Sequence, residues 1–257
     1  MAGTGIEITW LGHATVHYRS PKGKSLLVDA WVEGNPACPE KSKSLPPIDL
    51  LLITHAHFDH FTDAVALARK HRPDVICNFE TSLWLEQHGV EKVHGMNLGG
   101  TQELHGIRIT MVQAIHSNSI PDGERLVPGG EACGYVISFE DGTRVYHTGD
   151  TAVFGDMKLI GELYRPSIAV LPIGDLFTMS PRDAAAAVRM IGAKTVIPIH
   201  HSTFPALTGT PEALRAALSD RPEIEVRTLE PGETARTRPA SGPADRPIEG
   251  PPLAQSR

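Results

Sequence analysis

The sequence predicts an α/β fold in which short strands alternate with helices within one large domain. Short apolar runs recur along the chain, and segments with helical spacing of apolar residues lie between them. A chain of 257 residues with 40% hydrophobic content can bury one substantial core. Histidines and aspartates at the ends of apolar runs are spread from residue 55 to residue 200. Because two domains would separate them, we expect one domain over residues 1–232.

The N-terminal part is predicted to be β-rich. Strands are expected at residues 6–10, 15–18 and 25–29, and Pro21 and Gly23 favour a hairpin turn before the third strand. A proline-containing loop over residues 31–47 is placed to line a cleft. The continuous apolar run at residues 50–53 is typical of a buried strand.

Helices and strands alternate in the rest of the chain. One helix is predicted to begin near Thr62, and Ser180, Pro181 and Asp183 form the N-terminal signature of another that ends near residue 191. Further helices are expected at residues 83–88, 154–164 and 210–218. Further strands are expected around Val93 and at residues 107–115, 144–149 and 195–199.

Two segments are predicted to lack regular structure. Residues 117–133 are rich in proline and glycine, and their length suits a mobile loop that acts as a lid. In residues 233–257, prolines recur among small and charged residues without apolar periodicity. That composition is typical of a disordered or surface-draped tail.

The segment Thr-His-Ala-His-Phe-Asp-His at residues 54–60 directly follows the buried run 50–53. It brings His55, His57, Asp59 and His60 into six residues, at the end of a predicted strand. Imidazole nitrogens and carboxylate oxygens are ligands that zinc and neighbouring divalent metals accept. A histidine-rich surface loop is the alternative, but four ligand-type residues after a β-type run favour a metal site.

Three later residues extend this candidate site. His116, Asp150 and His200 each follow a predicted strand, and loops at strand ends are where rigid scaffolds place functional groups. Taken singly, either histidine is more typical of a satisfied polar residue, and Asp150 suits an Asx turn. Their shared position at strand ends is what predicts that they complete the site.

The order of these motifs resembles that of the metallo-β-lactamase superfamily. More narrowly, the chain is similar to a branch of metal-dependent hydrolases related to the L-ascorbate-phosphate lactonases, over about residues 5–230. The motifs that carry this narrower resemblance are ITWLGHAT at 8–15, MNLGG at 96–100, DMKLI at 156–160, LPIGD at 171–175, FTM at 177–179, PIH at 198–200 and TFP at 203–205. The resemblance implies a four-layer αββα sandwich with a binuclear site along one edge.

Carried over by position, the resemblance implies a specific set of metal ligands. One metal ion would be held by His55, His57 and His116, the other by Asp59, His60 and His200, with Asp150 bridging. Asp29 would support the ligand loop by accepting a hydrogen bond from a ligand histidine, although a turn-capping role is equally compatible with the sequence. Two Zn²⁺ ions suit these donors best, with Mn²⁺, Fe²⁺ and Ni²⁺ as alternatives.

The resemblance implies hydrolysis by a metal-bridging hydroxide of a small ester, lactone or phosphoester. Asp59 would also hold the attacking water, and His13, His201 or a metal-bound water would protonate the leaving group. His201 stands where the family commonly has tyrosine, so we expect it to face the substrate. Polar residues at strand ends are the other predicted substrate contacts: His13, Asn97, Asp175 and Thr178.

Two other functions are weighed against this one. A phosphodiesterase acting on RNA or cyclic nucleotides is disfavoured, because the net charge is −6 and no basic stripe is evident. A non-hydrolytic metal-binding protein is disfavoured because the ligand set is complete. The expected partner is therefore a small-molecule substrate and not a nucleic acid, and the lactonase resemblance favours a homo-oligomer.

The sequence also predicts a cytoplasmic protein. Its N-terminus lacks the charged and apolar regions of a signal peptide, and no apolar run reaches the ~18 residues of a membrane span. The three cysteines, Cys38, Cys77 and Cys133, show no Cys-x-x-Cys spacing. They are typical of small apolar residues in a reducing compartment, not of a disulfide framework.

Overall fold

A computed structural model describes residues 5–237. In chain order the strands are β1 (Glu7–Trp10), β2 (Val16–Arg19), β3 (Ser25–Val28), β4 (Leu50–Leu52), β5 (Asp74–Asn78), β6 (Val93–Met96), β7 (Thr101–Leu104), β8 (Ile107–Gln113), β9 (Ser119–Asp122), β10 (Arg125–Pro128), β11 (Cys133–Ser138), β12 (Arg144–His147), β13 (Ile168–Pro172), β14 (Thr195–Ile199), β15 (Glu225–Val226) and β16 (Thr234–Arg236). The helices are α1 (Glu40–Lys43), α2 (Phe58–Phe61), α3 (Ala64–His71), α4 (Phe79–Gln87), α5 (Met157–Tyr164), α6 (Pro181–Ile191) and α7 (Pro211–Ala217).

Two seven-stranded sheets form the centre of the molecule. The first has the order β16-β1-β2-β3-β4-β5-β6, and the second has the order β15-β14-β13-β12-β11-β8-β7. Pairing is parallel from β3 to β6 in the first sheet and from β12 to β15 in the second. The carboxyl ends of neighbouring parallel strands lie at the same edge of a sheet, so residues that follow them are brought close together.

The central parallel strands β4 and β13 are apolar throughout because both of their faces are covered. Leu26 and Leu50 point into the cluster between the sheets, where Tyr135 and Ile197 meet them from the second sheet. Side chains alternate along a strand, so the neighbouring Leu51 packs instead into a cluster on the outer face. Continuous apolar runs of this kind are expected only where a sheet is buried on both sides.

Helices cover both outer faces. On the first sheet, Leu67 of α3 and Leu85 of α4 join the outer apolar cluster. On the second sheet, α5, α6 and α7 contribute Ile160, Val188 and Leu214 to a separate cluster. The order of layers is helix, sheet, sheet, helix, which confirms the four-layer αββα sandwich expected from the resemblance.

Several boundaries differ from those predicted, each for a local reason. Helix α4 begins at Phe79, ahead of the expected residue 83, because the Asn78 side chain accepts a hydrogen bond from the Thr81 amide at 2.8 Å and caps it. Residues 119–128 pair as the hairpin β9–β10 instead of forming an irregular loop. Ile120 is buried in the core on one face of that hairpin, which anchors the segment to the domain.

The C-terminal boundary of the domain was predicted too early. Strand β16 pairs antiparallel with β1, and its central residue Ala235 is only 1% exposed. The Thr237 amide donates a hydrogen bond to the Ile6 carbonyl at 3.0 Å. Residues 233–237 therefore belong to the folded domain and not to a tail, and the remainder of the predicted tail lies outside the described residues. Within residues 5–237, no helix combines the length and apolar character needed to cross a bilayer.

The α6 capping box offers a direct test of this part of the fold. The Ser180 hydroxyl accepts a hydrogen bond from the Asp183 amide at 3.2 Å, as its sequence signature predicts. Ser180→Ala should therefore lower the free energy of unfolding by about 1 kcal/mol. For a domain of this size that corresponds to a Tm decrease of about 2–4 °C. The matched control is Ser219→Ala, at an exposed serine beyond α7; equal melting temperatures for the two variants would contradict the capping role.

Candidate metal centre

The turn that carries the first four ligand-type residues is held by a buried carboxylate. Asp29, fully buried after β3, accepts hydrogen bonds from the amide and the hydroxyl of Thr54, both at 2.8 Å. It also accepts one from Nδ1 of His60 at 2.7 Å. Because β3 and β4 are parallel neighbours, the residues that follow them meet at this point. Asp29 thus fixes the His60 ring so that its other nitrogen faces the interior of the site.

Three histidines form one group at this sheet edge. Nε2 of His55 lies 3.1 Å from Nδ1 of His57, and Nε2 of His116 lies 3.2 Å from the same atom. One nitrogen from each ring falls within 4.8 Å of the others. His116 reaches the group from the segment after β8 in the second sheet, so this group joins the two sheets.

A second group lies beside the first and contains His13, Asp59, His60 and His200. Nε2 of His13 donates a hydrogen bond to Asp59 at 2.8 Å. Nε2 of His200 and of His60 lie 3.7 Å and 3.9 Å from the same carboxylate oxygen. The histidines here are almost completely buried, whereas Asp59 is partly accessible from the cavity.

Asp150 lies between the two groups. Its Oδ2 is 3.0 Å from Nε2 of His200, 3.2 Å from Nε2 of His60 and 3.8 Å from Nε2 of His116. The preceding Gly149 has a φ of +63°, and a Cβ there would lie 2.5 Å from the Cys133 carbonyl oxygen. Only glycine fits this turn, and the turn is what directs Asp150 into the site.

The carboxylates of Asp29, Asp59 and Asp150 favour positive charge on the histidines around them. Burial alone would lower the pKa of His60, but Asp150 and Asp29 outweigh it and raise that pKa well above its usual value. The pKa of His200 is likewise raised, to about 9, against the effect of burial and mainly by Asp150. In turn, His200 and His60 hold the pKa of Asp150 well below its usual range, although burial opposes this. A bound divalent cation would supply this positive charge and leave the imidazoles neutral.

A further residue that positions the site was not predicted. The Asn118 side chain accepts a hydrogen bond from the Ala56 amide at 2.8 Å and donates one to the Gly129 carbonyl at 2.6 Å. It therefore ties the ligand turn to both ends of the β9–β10 hairpin. Its position two residues after His116 was the only sequence feature that could have indicated this role.

A cavity of about 680 Å³ opens above the two groups. His13, His57, Asp59, His116, Asp150 and His200 form its polar floor. Its walls are largely apolar and come from Phe58, Pro121, Leu126, Phe177, Phe204, Ala206 and Leu207, together with Ser117 and Ser119. None of these residues is a predicted substrate contact, although Phe58, Phe177 and Phe204 lie in motifs named above. The arrangement is an enclosed polar centre with apolar sides, which is typical of a small-molecule site.

Comparison with known proteins assigns the family. Residues 24–201 match the family model described as the beta-lactamase superfamily domain. A UPF0173 metal-dependent hydrolase of Koribacter versatilis is 52% identical over 230 residues, which cover 90% of this chain and 97% of that protein. One from Solibacter usitatus is 49% identical over 228 residues, which cover 89% of this chain and 98% of that protein. The chain belongs to the UPF0173 family of metal-dependent hydrolases.

A solved structure agrees with this assignment. Igni18, a metallo hydrolase from Ignicoccus hospitalis, superposes with a TM-score of 0.80 at 32% sequence identity. The match covers 91% of this chain and 99% of that one. The histidine and aspartate groups described above are thus a cluster capable of binding metal in a metal-dependent hydrolase.

Among the predicted substrate contacts of this UPF0173 hydrolase, His13 reaches the cavity but His201 does not. His200 has a φ of +55°, and its ring points to Asp150. The His201 ring instead packs on Trp10, with 4.9 Å between centroids, and is buried. Adjacent residues direct their side chains to different places: the His201 ring is buried against Trp10 and does not line the cavity, so this geometry gives no support to its expected catalytic and substrate-binding role.

The other three predicted substrate contacts also lie outside the cavity lining. Asn97 is exposed in the turn that connects β6 to β7, which are edge strands of the first and the second sheet. Its carbonyl accepts a hydrogen bond from the Gly100 amide at 2.9 Å. Asp175 is exposed, and its side chain accepts a hydrogen bond from the Leu176 amide at 2.8 Å. Neither Asp175 nor Thr178 is part of the lining, although Phe177 between them is. Turn formation accounts for Asn97 and Asp175.

The role of Asp29 can be tested by removing its charge. Asp29→Asn keeps the shape but replaces one acceptor oxygen by a donor, which weakens the hold on Thr54 and His60. We expect metal affinity to fall by about 10–100-fold, measured by competition with a chelating dye. Asp49→Asn is the matched control, since Asp49 also accepts an amide hydrogen bond in this sheet but lies near the surface. Unchanged affinity in Asp29→Asn would contradict the positioning role.

The structure makes a different prediction for His201. Burial lowers the pKa of His201 to about 4, below its ordinary value of 6.5. The folded state thus resists protonation that the unfolded state accepts, and stability is lost as the pH falls from 6.5 toward 4. His201→Leu should reduce this acid sensitivity in urea unfolding measured across that range. Metal content should be unchanged, and kcat should change by less than about threefold. A large fall in kcat would show that His201 takes part in catalysis.

Proposed function

We propose that the cluster binds two divalent metal ions and that the protein hydrolyses a small ester, lactone or phosphoester. His55, His57 and His116 would hold one ion, and Asp59, His60 and His200 the other. The observation that carries the proposal is the position of Asp150, whose Oδ2 lies within 3.8 Å of nitrogens from both groups. A single carboxylate placed in this way is suited to bridge two ions.

The donor set supports metal binding over a purely structural histidine cluster. In the first group three ring nitrogens approach one another within 4.8 Å and at 3.1–3.2 Å in two pairs. A neutral imidazole has one N–H donor and one acceptor nitrogen. Hydrogen bonds among the three rings therefore do not account for two nitrogens that approach the same atom, Nδ1 of His57. Oδ1 of Asp150 is also buried without a hydrogen-bond partner among the described residues. Nitrogen and carboxylate donors of this type suit Zn²⁺, and Mn²⁺, Fe²⁺ and Ni²⁺ remain compatible.

Divalent ions held by these residues would supply Lewis-acid chemistry: they would lower the pKa of a bound water and polarise the scissile bond. The side chains of this protein then orient the reaction. Asp59 reaches the cavity and is suited to position the attacking water. His13 holds a proton on Nε2 against Asp59 at 2.8 Å, and burial lowers the pKa of His13 to about 4 so that the ring is neutral near pH 7. The neutral ring of His13 is suited to hold the Asp59 carboxylate in place, but it is too weak an acid to protonate a leaving group near pH 7. Because His201 does not line the cavity, we assign protonation of the leaving group to a water in the cavity.

Metal analysis combined with kinetics tests this proposal. Purified protein should contain about two divalent ions per chain and hydrolyse at least one substrate in a panel of esters, lactones and phosphoesters. His57→Ala removes one of the three nitrogen donors of the first group. Metal content should therefore fall toward one ion per chain, and kcat/KM should fall by roughly 100-fold.

The control is His71→Ala, which removes a histidine at the end of α3, outside the cluster. It should leave both metal content and kcat/KM unchanged. Full metal occupancy together with unchanged turnover in His57→Ala would contradict the proposed ligand set.

A further inference from the structure

The walls of the cavity indicate which substrates fit it. We propose that the part of the substrate away from the scissile bond is uncharged and apolar, such as an aliphatic acyl chain or an aromatic ring. This inference rests on the proposed hydrolase function, and it selects a substrate class within it. Sugar phosphates and other substrates with an anionic group far from the scissile bond are excluded from this class.

Three large apolar side chains lie exposed at the rim of the cavity. Leu126 is 72% exposed, Phe177 61% and Phe58 54%. Singly, such residues are common on protein surfaces, but three at one opening form a patch of the kind that ligands cover. Phe204 and Leu207 continue the apolar surface inward toward the polar floor. A substrate whose reacting bond lies at the floor would therefore extend along apolar walls.

Among the described residues, the lining offers a remote anion no cationic side chain other than the histidines of the floor, and its hydroxyl groups are those of Ser117 and Ser119. Among the described residues that line the cavity, the charged side chains apart from histidine are Asp59 and Asp150, and neither lysine nor arginine is present. The positive charge of the proposed metal ions is confined to the floor, where the reacting bond must lie. A phosphate or carboxylate at the far end of a substrate would lose its hydration without gaining a cationic partner, which is costly.

The β9–β10 hairpin shows how this apolar wall is built. Leu126 pairs with Pro121 across the hairpin, and both line the cavity. Their neighbours Ile120 and Val127 form the adjacent cross-strand pair and pack into the core on the opposite face. Side chains alternate along a strand, so Arg125, the cation next to Leu126, is directed to the same face as Val127 and away from the cavity.

The loop that carries Phe177 is held in an uncommon backbone conformation. Asp175 and Leu176 have φ values of +68° and +54°, in the left-handed region. Non-glycine residues adopt this region at a cost, and such strain concentrates at ligand sites. The hydrogen bond from the Leu176 amide to the Asp175 side chain offsets part of that cost. The result is a loop that presents Phe177 to the cavity opening.

The size of the cavity indicates how large a substrate group it can cover. A volume of about 680 Å³ is in the range of small-molecule pockets, roughly 300–1,000 Å³. It accommodates an ester with a medium-length acyl chain or a bicyclic ring. We therefore test the inference with esters that differ only in the group placed against the walls.

The decisive comparison uses three p-nitrophenyl esters: the acetate, the hexanoate and the monoester of adipic acid. Hexanoate and monoadipate have the same acyl length, but the second ends in a carboxylate. We expect kcat/KM for hexanoate to exceed that for acetate by at least about tenfold, since each buried methylene contributes roughly two- to fourfold. For the monoadipate we expect a value at least about 30-fold below that for hexanoate. Similar values for hexanoate and monoadipate would overturn the inference.

Variants at the rim link the preference to the proposed walls. Leu126→Lys should raise the monoadipate-to-hexanoate ratio of kcat/KM by about tenfold or more, because it supplies the missing cation. Phe177→Ser should lower kcat/KM for hexanoate by about three- to tenfold and for acetate by less than about twofold. Leu163→Lys is the matched control at a leucine of α5 that is 48% exposed and remote from the cavity lining. An equal change of the ratio in Leu126→Lys and Leu163→Lys would count against the wall assignment.

A binding measurement separates this inference from the proposed function. The neutral fluorophore N-phenyl-1-naphthylamine should bind the purified protein with increased emission, hexanamide should displace it, and adipic acid monoamide should not. Leu126→Lys should weaken dye binding. If metal-loaded protein hydrolyses no ester, lactone or phosphoester of the panel, the proposed function fails, and the displacement pattern still decides the inference. If acetate is hydrolysed by metal-loaded protein but both amides displace the dye equally, the hydrolase stands and the apolar substrate class is wrong.

Discussion

The buried carboxylate of Asp29 is the interaction on which the rest of the site depends. It lies at the carboxyl end of β3 and accepts three hydrogen bonds from the turn after β4, two from Thr54 and one from His60. A buried polar group lowers the stability of a protein unless it has hydrogen-bond partners. The partners of the Asp29 carboxylate all belong to the segment that carries four ligand-type residues. The same bonds that satisfy Asp29 therefore set the direction of the His60 ring. Apolar packing on both faces of the first sheet keeps β3 and β4 in register, which holds Asp29 and the turn in place.

The two-sheet architecture explains why ligand residues so distant in sequence meet in space. In each sheet the parallel strands end at the same edge, and the first sheet contributes the turn after β4 while the second contributes the segments after β8, β12 and β14. The apolar cluster between the sheets brings those edges together. Asp150 then lies within reach of histidines from both sheets. The accumulation of negative charge and imidazole at this edge is unfavourable without a cation, so the fold and the proposed metal ions support one another.

The cavity divides its chemistry between floor and walls. Polar side chains from strand ends form the floor, whereas the walls come from the β9–β10 hairpin and from the loops around Phe177 and Phe204. The floor is suited to a reaction shared by the family, and the walls are suited to the choice of substrate, because loops can change without disturbing the strands beneath them. Asn118 joins these two parts, since it bonds both to the ligand turn and to the base of the hairpin.

The sequence alone was sufficient for the features that depend on local pattern. Apolar runs located five of the seven strands of the first sheet and three of the seven strands of the second. The capping residues Ser180 and Asp183 located α6, and ligand-type residues at strand ends located the members of the cluster apart from His13. It was insufficient where side-chain direction or long-range pairing decides the outcome. His200 and His201 are equivalent in a residue pattern, but the backbone at His200 sends one ring to Asp150 and the other to Trp10. Strand β16 is short and lies among prolines, so only its pairing with β1 reveals it. The packing of the β9–β10 hairpin on the core and the apolar walls likewise depend on contacts between segments far apart in the chain. Periodicity and capping are encoded within a few neighbouring residues, whereas the direction of a side chain into a shared cavity depends on the packing of two complete sheets.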